Sequence, residues 1–182
     1  MEKVRCKWCN LANPLYVKYH DEEWCVPTYD DALLFEFVIL EAFQAGLSWE
    51  TILNKRENFR EAFDQFDPYI IKEYEEDKID ELMNNKGIIR NRRKIEAAIV
   101  NAKVFLEIQK EWGTFSKYIW HFTDGKIVYE TGKASSELSD KISKELKKRG
   151  MKFVGTTIVY AYLQSIGVIN SHDLECYLHK EN

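Results

Sequence analysis

A carboxylate sits inside an apolar run of this 182-residue chain. Glu41 lies in "DDALLFEFVILEAFQAG", flanked by Leu40, Ala42 and Phe43, where an ionised group is costly unless something satisfies it. Trp8, Tyr16, Tyr19, Trp24 and Trp49 crowd the first fifty residues. A flat, partly cationic base stacked between indoles would give N–H donors to Glu41 and meet the π-face of Trp49. The plainer alternative is an aromatic core with Glu41 at a helix edge, paired to a Lys or Arg. Composition alone leaves that alternative ahead.

His172 and Cys176 stand four residues apart, so on a helix they would share a face. With Cys6 and His20 near the other end of the chain they make a Cys₂His₂ set, the number and softness that structural zinc takes. Cys9 leaves a second option open, because "CKWC" is itself a CxxC pair. A third option is buried thiols with no metal. Four cysteines at 6, 9, 25 and 176 suit reduced thiols or a metal rather than disulfides.

A third candidate is the turn "KKRGMKFVGTT". Lys148 and Arg149 precede Gly150, which permits a positive φ at a helix end. Gly155 lets another backbone approach, and Thr156 and Thr157 open the next helix. The unpaired N–H groups there attract an anion, and the neighbouring cations would draw DNA phosphates. An ordinary helix pair with a capping Thr would read the same way.

The elements that must hold these groups are helices. Apolar spacing predicts a buried helix between Asp30 or Asp31 and Gly46. It predicts one continuous helix over "SWETILNKRENFREAF" with Ser48 as N-cap, and short helices over "DPYIIKEY" and "DKIDELMNN". A long amphipathic helix covers "NRRKIEAAIVNAKVFLEIQKEW", and further helices cover "GTFSKYIWHF", "SSELSDKISKELKKRG" and "TTIVYAYLQSIG". "DGKIVYETG" reads as a loop between lobes. The fold class is therefore all-α. An apolar content of 45% suits a globular chain,. No apolar run is long enough to span a membrane, and "MEKVRCKWCN" is no signal peptide. The net charge of −4 argues weakly against nucleic acid, but "KGIIRNRRK" and "KISKELKKRGMK" concentrate positive charge.

Taken together, "RCKW", "PLYVKYHDEEW", "LEAFQAGLSWETILNKRENFREAFDQFDP", "GIIRNRRKIEAAIVNA", "LKKRGMKFVGTTIVYAYLQSIGVIN" and "SHDLEC" closely resemble the DNA-3-methyladenine glycosylase I family of helix-hairpin-helix glycosylases. The stretches cover nearly the whole chain in family order. The resemblance implies one domain, 1–182, with a central helical lobe and a lobe built from both termini around a zinc site. It implies one structural zinc on Cys6, His20, His172 and Cys176. Glu41, Tyr19 and Trp49 would recognise the methylated base, with excision resting on Glu41, and Trp8, Tyr16 and Trp24 would line the pocket. The hairpin with Lys148, Arg149, Gly155, Thr156 and Thr157 would grip DNA backbone, and Leu47 would wedge into the stack as the base is extruded. The implied partners are duplex DNA carrying alkylated adenine and free 3-methyladenine as product. The implied protein is a cytoplasmic monomer that joins the nucleoid when acting. The sequence departs from the family at Cys25, where Gly is common, and in the extra thiol of Cys9. Asn170 stands where the wider superfamily has Asp, as is this family's habit. No Lys occupies "VGTTI", which implies a monofunctional hydrolase.

Overall fold

The computed structural model describes residues 3–180; the outermost residues of the expected 1–182 domain, 1–2 and 181–182, lie outside it. Helices dominate, as the apolar spacing predicts. Helix α1 spans Pro14–Glu22, α2 Asp31–Gln44, α3 Trp49–Leu53, α4 Arg56–Ala62 and α5 Pro68–Ile71. They are followed by α6 Glu76–Asn84, α7 Arg92–Trp112, α8 Phe115–His121, α9 Glu137–Lys148 and α10 Thr156–Ser165.

Helix α2 is the axis. Its residues from Leu34 to Phe43 are all buried, and it packs against α3, α7, α8 and α10. Asp30 starts it by accepting from Ala32 N at 2.9 Å. Burying so apolar a helix on every side stabilises the fold by about 1.5–3 kcal/mol per large side chain. α7 is capped by Asn91, whose side chain accepts from Lys94 N. It ends at Gly113, where φ is +84°. One continuous core runs from Cys6 to Cys176.

Three local readings of the sequence are corrected. The helix expected over residues 49–63 breaks at Asn54–Lys55 into α3 and α4. Buried charge dominates beyond the break: Arg56 donates to Glu36 at 2.5 Å and to Glu23 at 2.7 Å, and Arg60 joins the same Glu36. The stretch expected as a plain loop contains β1, Val128–Tyr129, paired in parallel with β2, Ile169–Asn170. That pairing carries the following Gly132 and Lys133 to the rim of a cavity described below. The third correction concerns His172 and Cys176. They lie in a turn closed by Cys176 N donating to Asp173 O at 2.8 Å, not on a helix.

Gly167 shows how tightly the C-terminal segment is seated. Its φ is +74°, and a Cβ there would lie 2.3 Å from the backbone of Val26 and Pro27. Backbone cannot swing aside as a side chain can. Gly167→Ala should therefore cost about 3 kcal/mol or more and lower Tm by roughly 6–12 °C. A melting curve within 2 °C of the parent would contradict the packing described.

Candidate base pocket, metal cluster and DNA-facing turn

The first fifty residues and α10 enclose a cavity of about 300 Å³. Trp8, Tyr16, Tyr19, Trp24, Glu41 and Trp49 all line it, joined by Gln44, Lys133, Gln164 and Ser165. Every base-contacting residue expected from the sequence is thus brought to one place. Tyr16, Tyr19 and His20 arrive on one buried face of α1. This helix was missed in the sequence although its signal is present. Asn13 caps it, accepting from Leu15 N and Tyr16 N, and Pro14 takes the first helical position, a pairing typical of helix starts.

Glu41 points inward from the middle of α2 and is 3% exposed. The Lys or Arg partner of the plainer reading is absent among the described residues. Instead Oε1 accepts from Ser165 Oγ at 2.6 Å, and Oε2 has no hydrogen-bond partner. Burial pushes the carboxyl up to about 8, against the opposing pull of the Ser165 hydrogen bond. The indole Nε1 of Trp49 is likewise buried without a partner. Tyr19 and Trp49 lie with ring centroids 5.3 Å apart. A buried carboxylate oxygen without a donor, beside electron-rich rings, suits a planar cation carrying N–H groups.

Next to this cavity, Cys6, His20, His172 and Cys176 are all buried, and their ligand atoms lie within 4.8 Å of one another. Cys6 Sγ is 3.5 Å from His172 Nδ1. Cys176 Sγ is 3.5 Å from His20 Nε2 and 3.6 Å from His172 Nδ1. The set could hold a metal ion. Burial keeps His20 below its ordinary value and His172 at about 4, so both rings are neutral, as ligands must be. Asp21 takes the other nitrogen of His20 at 2.8 Å, the outer contact that aims a ligating imidazole. Cys9 is not part of the set; its thiol faces Tyr16 O at 3.8 Å. The cluster and the pocket share a wall. Trp24 lies edge-on to His172 at 4.7 Å, and Trp8 is 5.2 Å from His20.

Cys25 adopts φ +63°. A cysteine therefore holds the conformation that glycine supplies more easily. Its sulfur accepts from Ser171 N at 3.3 Å. Asn170 is buried but does not line the cavity.

α9 and α10 form the expected hairpin, with Gly150 at φ +100°. Asn101, fully buried in α7, was not anticipated. It clamps the turn by accepting from Lys152 N at 2.8 Å and donating to Lys152 O at 3.0 Å. Ser143 donates to Val154 O at 2.6 Å, and Thr156 meets Ser139, hydroxyl to hydroxyl, at 2.8 Å. Thr157 and Lys148 are exposed, and a Cβ on Gly155 would meet nothing within 4 Å. Arg149 is engaged within the protein: it donates twice to Glu111, at 2.7 and 3.0 Å, and lies over Tyr118.

Leu47 is 40% exposed in the loop after α2. Lys94, a second residue missed in the sequence, fixes that loop's start by donating to Phe43 O at 2.7 Å and Ala45 O at 2.6 Å. These carbonyls terminate α2, where a cation is favoured.

Comparison with known proteins adds an independent line. A family model of methyladenine glycosylases matches residues 8–179. DNA-3-methyladenine glycosylase 1 of Escherichia coli (strain K12) is 44% identical over 178 residues, covering 94% of this chain and 95% of that protein. A crystal structure of 3-methyladenine DNA glycosylase I is similar with TM-score 0.93 at 44% identity, covering 97% of this chain and 100% of that one. A structure addressing 3-methyladenine recognition by the Staphylococcus aureus enzyme gives TM-score 0.92 at 34% identity, with 98% of each chain covered.

Proposed function

The chain belongs to the methyladenine glycosylase family, and from that premise we propose that it hydrolyses the N-glycosidic bond of 3-methyladenine in alkylated duplex DNA. The observation that carries this reading is the aromatic cavity with a buried, half-satisfied carboxylate at its wall. Methylation at N3 places positive charge on the base. That weakens the glycosidic bond and makes the base a good leaving group, so little acid–base help is needed. Selectivity is the harder task. Trp8, Tyr16, Trp24 and Trp49 offer π-faces that favour a cation, and Glu41 accepts from its N–H edge. Excluding water strengthens both interactions. Water then attacks the sugar, the base departs, and an abasic site is left.

Residues 1–182 act in this reading as one catalytic domain working as a monomer. Leu47 fills the space of the extruded nucleotide. Lys148, Gly155, Thr156 and Thr157 hold the backbone, with Arg149 contributing less because Glu111 already neutralises it. Lys148→Glu should weaken DNA binding for every sequence and reduce the slope of log affinity against log salt by about 1. Arg149→Gln should change that slope much less. Equal slopes in both variants, measured by fluorescence anisotropy, would place the contact elsewhere.

The metal in this reading is one structural zinc. A tetrahedron with Zn–S of about 2.3 Å and Zn–N of about 2.0–2.1 Å has S···N edges of about 3.6 Å, and three of the four S···N separations here are 3.5–3.6 Å. Four protein ligands leave no open position, so the ion ties the termini and steadies the pocket wall rather than joining the chemistry. The chain acts in the cytoplasm, at the nucleoid; among the described residues no helix is long and apolar enough to cross a membrane.

Lyase chemistry would need a neutral amine at the sugar. Lys133, the lysine lining the cavity, donates to Glu130 at 2.6 Å, and no Lys occupies the Val154 to Ile158 turn. The deciding assay incubates the protein with N-methylated duplex DNA. Free 3-methyladenine should appear while the strand stays intact until alkali cleaves it. Strand cleavage without alkali, or no base released by folded protein, would contradict the reading.

A further inference from the structure

Among the described residues the cavity has one cation in its lining, Lys133, and recognition of the base leaves it without a task. The sequence reads this stretch as a loop between lobes. Strand pairing delivers it to the rim instead: Val128 N donates to Val168 O at 2.9 Å and Glu130 N to Asn170 O at 3.1 Å. Beyond that anchor Gly132 takes φ +70°, a turn that glycine makes without strain, and Lys133 follows it at the cavity edge.

Glu130 holds the ammonium. Lys133 Nζ donates to Glu130 Oε2 at 2.6 Å, and the Glu130 side chain is 12% exposed against 52% for Lys133. The carboxylate is seated in the protein while the ammonium faces solvent. A lysine ammonium has three N–H donors. Glu130 takes one, and two remain for a ligand at the mouth of the cavity.

The charged groups in the rest of the lining have the opposite sign. Glu41 and Asp173 are both there, and two acids suit a cationic base but oppose a phosphate. An extruded nucleotide brings both. Its base enters among the aromatic rings, while its sugar and phosphates stay at the mouth because the strand must return to the duplex. Among the described residues, none from 148–157 lines the cavity, so the hairpin supplies no cation there. We infer that Lys133, positioned by Glu130, binds the phosphodiester of the extruded nucleotide, a DNA contact at the pocket mouth separate from the α9–α10 hairpin. This rests on the functional reading above and deepens it. The contact exists only once the nucleotide has left the stack, so it favours the extruded state over the paired one.

The test compares two duplexes of one sequence by fluorescence anisotropy, one undamaged and one carrying a tetrahydrofuran abasic site, which extrudes without a base to cleave. Lys133→Gln should weaken binding of the abasic duplex about tenfold, the worth of one hydrogen bond to a charged group. The slope of log affinity against log salt on that duplex should fall by about 1. Binding of the undamaged duplex, and of free 3-methyladenine followed by tryptophan fluorescence, should stay within twofold of the parent. Lys133→Arg, which keeps the charge, should stay within about threefold on the abasic duplex. Lys133 is exposed, so both variants should melt with the parent. Equal losses on the two duplexes would make Lys133 a general backbone contact and overturn the inference. An abasic-duplex affinity within twofold of the parent in Lys133→Gln overturns it, and so does a matching loss of free-base affinity. None of these readings needs bond cleavage. A parent that releases no base from methylated DNA therefore defeats the functional reading, while the comparison of duplexes still decides the role of Lys133. A parent that releases base while Lys133→Gln binds both duplexes normally defeats only the inference.

Discussion

Cys176→Ser loses its metal and melts at least 10 °C below the parent. The expectation rests on where the four ligands come from. Cys6 and His20 belong to the start of the chain, His172 and Cys176 to its end, and an ion held by all four would tie the two far more strongly than the individual hydrogen bonds between them. Lys7 N donates to Asp173 at 2.8 Å, and Tyr177 N donates to Val4 O at 2.8 Å. Structural zinc is worth about 10–16 kcal/mol in small peptides, comparable with the whole stability of a domain at about 5–15 kcal/mol. Without the ion, burial drives the Cys6 thiol up, so a neutral thiol replaces a bonded thiolate. Loss of the clip also frees Trp24 and Trp8, which lean on the ligand rings, so the pocket loosens with the terminus. Metal content by mass spectrometry, paired with a melting curve, checks this. Cys9→Ser is the control, expected to retain about one zinc per chain. A parent purified without chelator and free of zinc would contradict the metal reading. Zinc retained in Cys176→Ser would move the site.

The second large effect is at Glu41. Glu41→Gln keeps the shape, removes the charge, and turns one acceptor into a donor that faces Ser165 or the base. Excision should fall by about 10²-fold or more, and affinity for free 3-methyladenine should fall with it, since one interaction serves both. Stability moves the other way. The folded-state carboxyl sits at about 8, above its unfolded value near 4.3. The folded form then binds the proton more tightly, so stability is highest below pH ~4.3 and declines as pH rises towards 8. The Gln variant carries no such loss. The two proteins should converge in acid, and the variant should be more stable by roughly 2–4 kcal/mol at pH 8 and above. Parent kcat/KM should rise with pH up to about 8 and level off, as the free enzyme's Glu41 ionises. Urea melts at pH 5 and pH 8.5 read the sign directly. A variant less stable than the parent at the higher pH would mean that Glu41 is paid for by a partner other than Ser165.

Much of this was legible in the sequence because periodicity carries it. The α2 run, the long α7 and the α9–α10 hairpin each show apolar spacing and caps that act locally. The residues that line the cavity and those of the buried Cys/His cluster were legible through side-chain type and family resemblance. What stayed hidden is long-range. Nothing near Lys94 says that it will cap a helix fifty residues upstream, and nothing near Asn101 says that it will clamp the turn at Lys152. Ser165 reads as an ordinary polar residue near a helix end until α10 brings it to Glu41. The break between α3 and α4 follows from Glu36 and Glu23, which lie on other elements. The helix α1 is a different kind of miss, because Asn13-Pro14 announced it locally. His172 and Cys176 met the right partners by a different route, a turn instead of a helical face.

The central claim is that Glu41 acts by recognising a base that already leaves easily, not by performing the chemistry. The most direct measurement sets the single-turnover excision rate from methylated duplex DNA beside the affinity for free 3-methyladenine, in the parent and in Glu41→Gln. The account predicts that both fall together. A variant that binds the free base as the parent does, yet no longer excises it, would make Glu41 a chemical catalyst and contradict the account.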